Sequence, residues 1–408
     1  MRILQVNKYH YPRGGADIFY LDLGERLEAA GHEIAYFSMQ HPLNLPTPWS
    51  KYFVSRVSFN EKPGKYAYKI PGRTLYSLEA KKRFSRLLDE FRPDIIHFHN
   101  IYHHLSPSVI LEASRRGIPM LMHAHDYKLV CPNHSLFMDG QPCRRCIPGK
   151  FQNCAIHRCV KDSLPGSLLA AVEMHVHHNM MDVYRKHLDR VIAPSRFMKD
   201  ILVSGGWRPE AINVINNSFH PQTDQRETTD RRYFLIFGRL SPEKGIDTAI
   251  KAMSLTQNTK LIIAGEGEMI EDLKALTDKH NLSGRIDFVG QQDKDGVRAL
   301  ICGAKAVIIP SIWYENFPLS ALEALSLGTP VIASDIGGLP EIVSEANGVL
   351  VPPADSAALA SVIQKVQDGD ISFNRESIIA SSCKYLPEDN TKLMLELYNV
   401  LIQTKNSA

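Results

Sequence analysis

Short apolar runs rich in valine and isoleucine alternate with amphipathic stretches of helical period along the whole chain. This pattern is typical of parallel sheets built from βαβ units, so it predicts an α/β protein. The predicted strands of the N-terminal half are Ile3–Val6, Glu33–Phe37, Ile95–Phe98, Pro119–His123 and Arg190–Ala193. The predicted strands of the C-terminal half are Phe234–Phe237, Leu261–Ala264, Ile286–Val289, Ala306–Ile309, Val331–Ala333 and Gly348–Val351.

The chain has 408 residues, which is more than one ordinary core holds and fits two domains. A polar segment without periodicity, residues 216–230, lies between the two strand series and is interrupted by Pro221. We therefore expect a Rossmann-like domain over residues 1–215, a linker over 216–230 and a second Rossmann-like domain over 231–385. Residues 386–408 have helical apolar spacing, and we expect this helix to pack back on the N-terminal domain.

Charge is divided unequally between the two halves. Residues 1–200 carry 28 Lys and Arg against 18 Asp and Glu, whereas the remainder carries 19 against 26. A basic half attracts an anionic membrane surface or another anionic partner, although a merely solvated basic surface accounts for the same numbers. We expect no nucleic-acid partner because no motif of that class accompanies the charge. No apolar run reaches the roughly 18 residues of a membrane span, so we expect a cytoplasmic protein, peripheral at the inner membrane face.

The segment Gly238-Arg-Leu-Ser-Pro-Glu-Lys-Gly245 directly follows a predicted strand. Its two cations, Arg239 and Lys244, flank the start of a helix, where backbone amides also attract anions. The segment therefore indicates a binding site for a diphosphate. The alternative is a surface turn with two solvated cations.

Two glutamates follow the strand that ends at Ile309. If a helix starts near Pro318, Glu323 lies inside it and Glu315 lies in the loop before it. Carboxylates accept hydrogen bonds from vicinal diols, so one glutamate suits sugar hydroxyls and the other suits a ribose. We expect the two glutamates to point into different parts of one cleft, and we expect Glu315 and Lys244 to lie in a polar cleft and not in a core.

These segments, together with Gly265-Glu-Gly-Glu268 and Ile336-Gly-Gly-Leu-Pro-Glu341, closely resemble family 4 of the retaining glycosyltransferases. The resemblance covers nearly the whole chain. It implies a GT-B fold, in which two Rossmann-like domains with parallel sheets face a central cleft. The donor would be held by the C-terminal half and the acceptor by the N-terminal half.

The resemblance also implies roles for individual residues. Arg239 and Lys244 resemble the cations on the donor diphosphate, Glu323 the ribose ligand and Glu315 the carboxylate beside the transferred sugar. His125 resembles the family's histidine near the anomeric carbon, so the catalytic pair would be His125 and Glu315. The implied donor-binding residues are Gly14, Gly15, Arg239, Lys244, Glu266, Asn316, Phe317, Pro318, Leu319 and Glu323.

The implied reaction is a hexosyl transfer from a nucleotide diphosphate sugar to a glycan or polyprenyl-linked acceptor, as in the synthesis of cell-surface polysaccharide or glycolipid. It would proceed with retention of configuration and without a catalytic metal. The chain departs from the family at Glu315-Asn316-Phe317, where Glu-Gly-Phe is commonest, and at Gly265-Glu-Gly-Glu268, where Gly-x-Gly-Pro is usual. Both departures concern the identity of the sugar more than the reaction.

Fifteen of the 17 histidines fall in residues 1–200, and several stand near the ends of predicted strands. The carboxyl edge of a parallel sheet is where α/β proteins bind ligands, so these imidazoles suit an acceptor or a sugar. A metal site is an alternative, although the spacing matches no zinc motif.

Five cysteines lie within residues 131–163. Close pairs of cysteines in a cytoplasmic protein favour a metal site over disulfides, and we predict a structural zinc held by Cys143, Cys146, Cys154 and Cys159. Open alternatives are an iron–sulfur cluster, ligation by Cys131, His134 or His157 in place of one cysteine, and metal-free thiols or disulfides.

Two other functions stay open from the residues. One is a nucleotide-sugar epimerase of the same fold, and the other is a non-catalytic protein that binds nucleotide sugar or acts as a scaffold. A dehydrogenase is excluded because the first turn, Asn7-Lys-Tyr-His-Tyr-Pro-Arg-Gly-Gly15, does not make Gly-x-Gly-x-x-Gly.

Overall fold

The structure is a computed structural model that describes residues 1–57, 70–221 and 231–407. The chain divides into two compact units. Unit 1 contains Met1–Ser135, Arg144–Asn216 and Asn390–Ala408, and unit 2 contains Leu136–Cys143 and Asn217–Asp389. Most of the predicted linker, residues 222–230, lies outside the described part of the chain.

Each unit is built on a six-stranded parallel sheet. The strands of unit 1 are β1 (Arg2–Val6), β2 (Glu33–Phe37), β3 (Ile95–Phe98), β4 (Met120–His123), β7 (Arg190–Ala193) and β8 (Ile212–Val214). The strands of unit 2 are β9 (Tyr233–Phe237), β10 (Leu261–Ala264), β11 (Ile286–Gly290), β12 (Ala304–Ile309), β13 (Val331–Ser334) and β14 (Gly348–Val351). A two-stranded antiparallel hairpin, β5 (Phe137–Met138) and β6 (Gln141–Pro142), lies between β4 and β7 in the chain.

Helices connect these strands. Those before β9 are α1 (Gly15–Ala29), α2 (Ile70–Leu75), α3 (Leu78–Phe91), α4 (Tyr102–Leu105), α5 (Ser108–Arg115), α6 (Gln152–Ile156), α7 (Leu164–Met174), a π-helix (His175–Met180), α8 (Val183–His187) and α9 (Arg196–Ser204). Those after β9 are α10 (Ile246–Ser254), α11 (Ile270–Lys279), α12 (Lys294–Cys302), α13 (Leu319–Ser326), α14 (Ser356–Asp368), α15 (Arg375–Ser382) and α16 (Pro387–Asn406). None of the described helices is both long enough and apolar enough to cross a lipid bilayer.

The predicted strands are all present, with ends that differ by one or two residues. The prediction missed β8, because its three residues lie between Pro209 and Asn216-Asn217 and are too few to show a period. It also missed the hairpin β5–β6, whose strands have two residues each.

The order of the strands defines where each sheet can bind a ligand. Unit 2 has the order β11-β10-β9-β12-β13-β14, and unit 1 has the order β2-β1-β3-β4-β7-β8. These are the two common doubly wound orders, Rossmann and flavodoxin-like, which bind ligands beyond the carboxyl ends of the strands where the order reverses. The reversal lies between β9 and β12 in unit 2 and between β1 and β3 in unit 1.

Apolar residues cover both faces of the unit 2 sheet. Phe234 and Ile236 pack on the side of α10, whereas Leu235 packs on the side of α13. Successive residues of a strand point to opposite faces, so a strand buried on both sides must be apolar at every position. This is why the sequence of β9 is one continuous run of apolar residues.

The C-terminal helix α16 contributes to the core of unit 1. Its buried residues Met394, Leu397, Tyr398 and Leu401 share one apolar cluster with residues of α1 and of the sheet. Arg26 of α1 also donates hydrogen bonds to Asn390 and Thr391.

Candidate functional site

A cavity of about 200 Å³ lies in unit 2 at the reversal point between β9 and β12. Gly238 and Arg239 reach it from the end of β9, and Ser311 reaches it from the end of β12. Lys244 and Glu323 also line it. Three residues that the sequence singled out, Arg239, Lys244 and Glu323, are therefore brought to one place by the strand order.

Lys244 and Glu315 form a salt bridge beside this cavity. The Lys244 Nζ atom lies 2.8 Å from Glu315 Oε1, and the Ser311 hydroxyl donates to the same oxygen at 2.6 Å. Burial alone would raise the pKa of the Glu315 carboxyl, but the charge of Lys244 and these hydrogen bonds hold the pKa below its usual value. The carboxylate is therefore ionised at neutral pH.

The structure corrects one expectation about Glu315. We expected it to line a polar cleft, but its side chain is only 6% exposed, whereas the Lys244 side chain is 30% exposed. The glutamate lies behind the lysine because Ser311 and Lys244 supply the polar partners that a buried carboxylate requires.

Arg239 is held differently. Its Nη2 atom donates to Glu243 Oε1 at 2.6 Å, and 66% of its side chain is exposed. An exposed ion pair of this kind is weak, so an incoming anion can compete with Glu243 for the guanidinium.

Two glycines allow close approach of the backbone around this site. At Gly245, where φ is +62°, an added Cβ would lie 2.2 Å from the carbonyl oxygen of Pro310. At Gly337, where φ is +64°, it would lie 2.4 Å from the carbonyl oxygen of Glu315. A side chain at Gly245 would push the turn after Lys244 away from Pro310, and one at Gly337 would displace the loop that carries Glu315.

Glu323 lies in the helix α13, which starts at Leu319 as predicted. Burial raises the pKa of its carboxyl to about 7, against a small opposing effect of Lys294. The pKa of Glu323 is therefore raised whereas that of Glu315 is lowered, because Lys244 contacts the Glu315 carboxylate.

The other predicted donor residues differ in what they offer. Phe317 is 5% exposed, and its ring packs edge-on against Tyr385 at 5.3 Å, so its side chain belongs to the core. Pro318 caps α13, and Leu319 begins it. Asn316 is partly exposed, and Glu266 is exposed in the loop after β10, where its carbonyl accepts from the amide of Leu240.

Gly14 and Gly15 lie at the start of α1 in unit 1. An added Cβ would meet only Asp17, at 3.9 Å, from Gly14 and nothing within 4 Å from Gly15. The fold itself does not require glycine at these positions, and the small residues leave room for a ligand to approach the loop before α1 closely.

His125 follows β4 and is hydrogen-bonded to His99, which is in turn hydrogen-bonded to Gln5. His99 Nε2 lies 2.7 Å from Gln5 Oε1, and His99 Nδ1 lies 2.8 Å from His125 Nε2. Burial, followed by neighbouring histidines, lowers the pKa of His99 and His125 well below the usual value, so both rings are neutral. Because the amide oxygen of Gln5 can only accept, His99 donates from Nε2 and His125 donates to His99 Nδ1.

Four imidazoles of β3 and β4 and their ends stack nearly parallel. The ring centroids of His97 and His99 are 4.3 Å apart, and those of His123 and His125 are also 4.3 Å apart. The ligand atoms of His97, His99 and His123 lie within 4.8 Å of one another, the one such set among the described residues. Both nitrogens of His99 already take part in hydrogen bonds, and His97 Nδ1 lies 2.7 Å from the Tyr398 hydroxyl.

The cysteines of residues 131–163 are only partly brought together. Cys146 and Cys154 are buried in an apolar cluster, against which Cys159 packs. Burial and the neighbouring Cys159 and Cys131 raise the pKa of the Cys154 thiol to about 12. No three of the five sulfur atoms, all of which the structure describes, lie within 4.8 Å of one another. The arrangement of these thiols is therefore not that of a tetrahedral metal site.

Sequence reasoning missed three residues of these sites. Ser311 and Glu243 are the partners of Glu315 and Arg239, and neither carries a signal of its own in the sequence. Gln5 could have been found, because it is a polar residue inside the apolar run of β1 and is fully buried. Its burial marks it as a partner of another polar group.

The fold and the sites define a two-unit α/β protein of the doubly wound kind. Residues 13–222 match the family model described as Glycosyltransferase Family 4, and residues 221–381 match Glycosyl transferases group 1. The chain belongs to glycosyltransferase family 4, whose members have the GT-B fold.

Similar proteins of known sequence include a glycogen synthase of Mycobacterium tuberculosis, 32% identical over 279 residues, which are 65% of this chain and 64% of that protein. An uncharacterised glycosyltransferase of Methanocaldococcus jannaschii is 38% identical over 34% of this chain and 36% of its own length. The chain thus spans about a third of one relative and just under two thirds of the other. An uncharacterised protein of the Klebsiella pneumoniae cps region is 25% identical over 84% of this chain and 87% of its own length.

Two solved structures resemble this chain over nearly its whole length. One is the lipopolysaccharide outer core galactosyltransferase WaaB, with a TM-score of 0.69, 18% identity and coverage of 99% of this chain and 100% of WaaB. The other is HepE of Anabaena in complex with UDP, with a TM-score of 0.69, 17% identity and coverage of 98% and 100%. At these identities the likeness shows a shared fold.

Proposed function

We propose that this protein transfers a hexosyl group from a nucleoside diphosphate sugar to an acceptor, with retention of the anomeric configuration. The observation that carries the proposal is the gathering of Arg239, Lys244 and Glu323 around one cavity at the reversal point of unit 2. Two cations and a carboxylate at such a point are what a nucleoside diphosphate requires, since the cations meet the phosphates and the carboxylate meets the ribose hydroxyls.

The leaving diphosphate gains negative charge as the bond to the sugar breaks. Lys244 is suited to meet this charge because the bond to Glu315 already fixes the position of its ammonium group. A cation that is positioned in advance costs no reorganisation when charge develops. Arg239 can leave Glu243 for the same phosphates, and no metal ion is needed to neutralise them.

His125 would act on the sugar by hydrogen bonding. Its neutral ring donates from Nε2 to His99, and this bond would fix the orientation of the ring for a hydrogen bond with a sugar hydroxyl. A strong acid or base is not expected, because burial keeps the imidazolium form unfavourable.

Uridine diphosphate is a first choice for the nucleotide, because HepE was solved with UDP, with UDP and glucose and with UDP-glucose. A glycan acceptor is suggested by the names of WaaB, of the Erwinia amylovora amylovoran glycosyltransferase AmsK and of the Klebsiella cps-region protein. A polyprenyl-linked acceptor is proposed from the family resemblance of the sequence alone. The reaction would serve cell-surface polysaccharide or glycolipid synthesis on the cytoplasmic face of the membrane.

A panel of nucleotide sugars, with release of nucleoside diphosphate as the readout, tests this proposal. We expect release with one donor, loss of release in Glu315→Gln, and unchanged release in Lys251→Ala, whose exposed lysine pairs with Asp247 on α10. Interconversion of the nucleotide sugar without release would instead indicate an epimerase. Binding of a nucleotide sugar without any turnover would indicate a non-catalytic protein.

A further inference from the structure

A second cavity, of about 450 Å³, lies within unit 1 at the reversal point between β1 and β3. The loop after β1 lines it with Lys8, Tyr9, Tyr11 and Arg13. Residues that follow β2, residues of α4 and residues of the segment after β4 complete its wall. Its position is equivalent to that of the unit 2 cavity, where a doubly wound sheet binds its ligand.

Positive charge predominates in the wall of this cavity. Lys8, Arg13, Arg56 and Lys128 line it, against the single carboxylate of Asp126. Lys128 is already neutralised, because its Nζ atom lies 2.7 Å from the buried carboxylate of Glu173. Apart from Lys128, the cations that line the cavity are Lys8, Arg13 and Arg56.

Lys8 is the most informative of these cations. Within the described residues its ammonium makes no hydrogen bond or ion pair. The Lys8 Nζ atom lies over the Tyr9 ring, 5.5 Å from the ring centroid. Burial lowers its pKa, and the more distant charges of Asp126 and Asp17 only partly oppose this effect. The residue is partly exposed, and a partly desolvated cation without a partner would be stabilised by an anion in the cavity.

Three of the four histidines of the wall do not add positive charge. Burial lowers the pKa of His103, His104 and His134, so these rings are neutral donors and acceptors. Aromatic rings form the rest of the wall: Tyr11 stacks on His41 at 4.4 Å, and the Arg13 guanidinium lies 4.6 Å over the Tyr9 ring. Flat rings with polar edges suit a sugar, which has apolar C–H faces and hydroxyls at its rim.

We infer that this cavity binds the acceptor through a phosphate or diphosphate group, with Lys8, Arg13 and Arg56 as the cationic contacts. The inference rests on the proposed transfer reaction, because only a transferase binds an acceptor. A carboxylate needs one planar partner and is satisfied by a single arginine. Three cations from separate points of the chain instead suit an anion with several charged oxygens, and the aromatic wall then holds the sugar that this group carries.

Calorimetric titration of the full chain with inorganic pyrophosphate tests the site. We expect two binding events, one that Lys244→Ala removes from unit 2 and one that Lys8→Met weakens about tenfold or more. Arg13→Gln should also weaken the second event, and because Arg13 is exposed this variant should fold normally. Lys8→Arg should retain most of the binding, and Lys186→Met, at an exposed lysine of the same unit, should change nothing.

Pyrophosphate binding in Lys8→Met and Arg13→Gln that equals wild type, with normal melting temperatures, would overturn the inference. Loss of the proposed function looks different, because then no nucleotide sugar would release diphosphate even though the Lys8-dependent event remained. Vesicles of phosphatidylcholine with and without a polyprenyl diphosphate identify the source of the anion. Binding that requires both the polyprenyl diphosphate and Lys8 assigns a lipid-linked acceptor, whereas pyrophosphate binding without vesicle binding assigns a soluble phosphorylated one.

Discussion

Lys244 and Glu315 depend on each other more than any other pair of the candidate site. Lys244→Ala would leave the Glu315 carboxylate buried without a cation, so we expect a loss of about 2 kcal/mol in the free energy of unfolding, discounted for the partial exposure of the lysine. Glu315→Gln keeps the size of the side chain and should cost less. Both variants should reduce turnover about a hundredfold or more, because the positioned charge is lost.

Denaturant unfolding of the two single variants and of the Lys244→Ala, Glu315→Gln double variant measures this coupling. The double variant should be more stable than Lys244→Ala alone, since no buried charge is then left unpaired. Additive losses would show that the two side chains do not act as a pair. Because the pKa of Glu315 is lowered, the stabilising effect of the pair should be full above about pH 4.5 and disappear as the pH falls below that.

Glu323 should show the opposite pH dependence. Its pKa is raised from 4.5 to about 7, so the folded state favours the protonated form and stability should fall as the pH rises through this range. We expect Glu323→Gln to be more stable than wild type by about 2 kcal/mol at about pH 8 and equally stable at about pH 4. Melting temperatures across this range check the result, and a constant difference at all pH values would contradict it.

In the proposed reaction, the ionised form of Glu323 is the one that would accept two hydrogen bonds from a ribose. The affinity of the wild-type protein for the donor nucleotide should therefore decrease as the pH falls below about 7. In Glu323→Gln the affinity should be weaker and nearly independent of pH. Titration of the nucleotide at several pH values distinguishes this role from a purely structural one, which would change stability alone.

At the scale of elements, α16 acts as part of the unit 1 core. Leu401 is 3% exposed and packs among residues of α1 and the sheet, whereas its neighbour Val400 is 52% exposed. Leu401→Ala should cost about 2–4 kcal/mol of stability, because it opens a cavity in the core. Val400→Ala should change stability by less than about 0.5 kcal/mol. Equal effects of the two substitutions on thermal unfolding would place the helix away from the core.

The cysteine segment, residues 131–163, remains a candidate for a structural zinc. The prediction is about one zinc per chain, lost on substitution of Cys143 or Cys146. In the structure Cys146, Cys154 and Cys159 share one apolar cluster, but no three of the five sulfur atoms lie within 4.8 Å of one another, and the raised pKa of Cys154 disfavours a thiolate without a metal. Elemental analysis decides the matter, and metal well below one equivalent with titratable thiols would remove the zinc site.

At the scale of the whole molecule, the basic N-terminal half predicts binding to anionic vesicles that weakens steeply with salt. The sequence predicts a basic face formed by Lys62, Lys65, Lys69, Arg73, Lys81, Lys82, Arg83 and Arg86. Lys62, Lys65 and Lys69 lie outside the described residues, and Arg73 turns inward to Ser55 and Glu79 with 11% of its side chain exposed.

Lys82 and Arg86 are exposed on α3, so the double variant Lys82→Gln, Arg86→Gln should weaken vesicle binding. Lys251→Gln, in the acidic half, is the matched control and should bind as wild type does. Co-sedimentation with anionic and neutral vesicles at low and high salt is the measurement. Equal binding to both kinds of vesicle, or none at low salt, would leave only a solvated basic surface.

Much of the fold could be predicted from the sequence because strands buried on both faces must be apolar at every position. The run Tyr233–Phe237 identified β9 for this reason, and the same reasoning located the other long strands. It failed for β8 and for the hairpin β5–β6, whose strands are too short to carry a period. The start of α13 after Pro318 was also predicted, because proline suits the beginning of a helix.

The sequence alone therefore determined the two parallel sheets, the family and the residue types that line the unit 2 cavity, because these depend on local periodicity and on motifs that are contiguous in the chain. The tertiary structure decided the burial and the partners of each charged group. It buried Glu315 behind Lys244, moved the pKa of Glu323 to about 7, left Lys8 without a partner among the described residues and joined Gln5 to His125 through His99. Burial and contact between residues far apart in the chain exist only once the strands are ordered, so no local pattern could carry them.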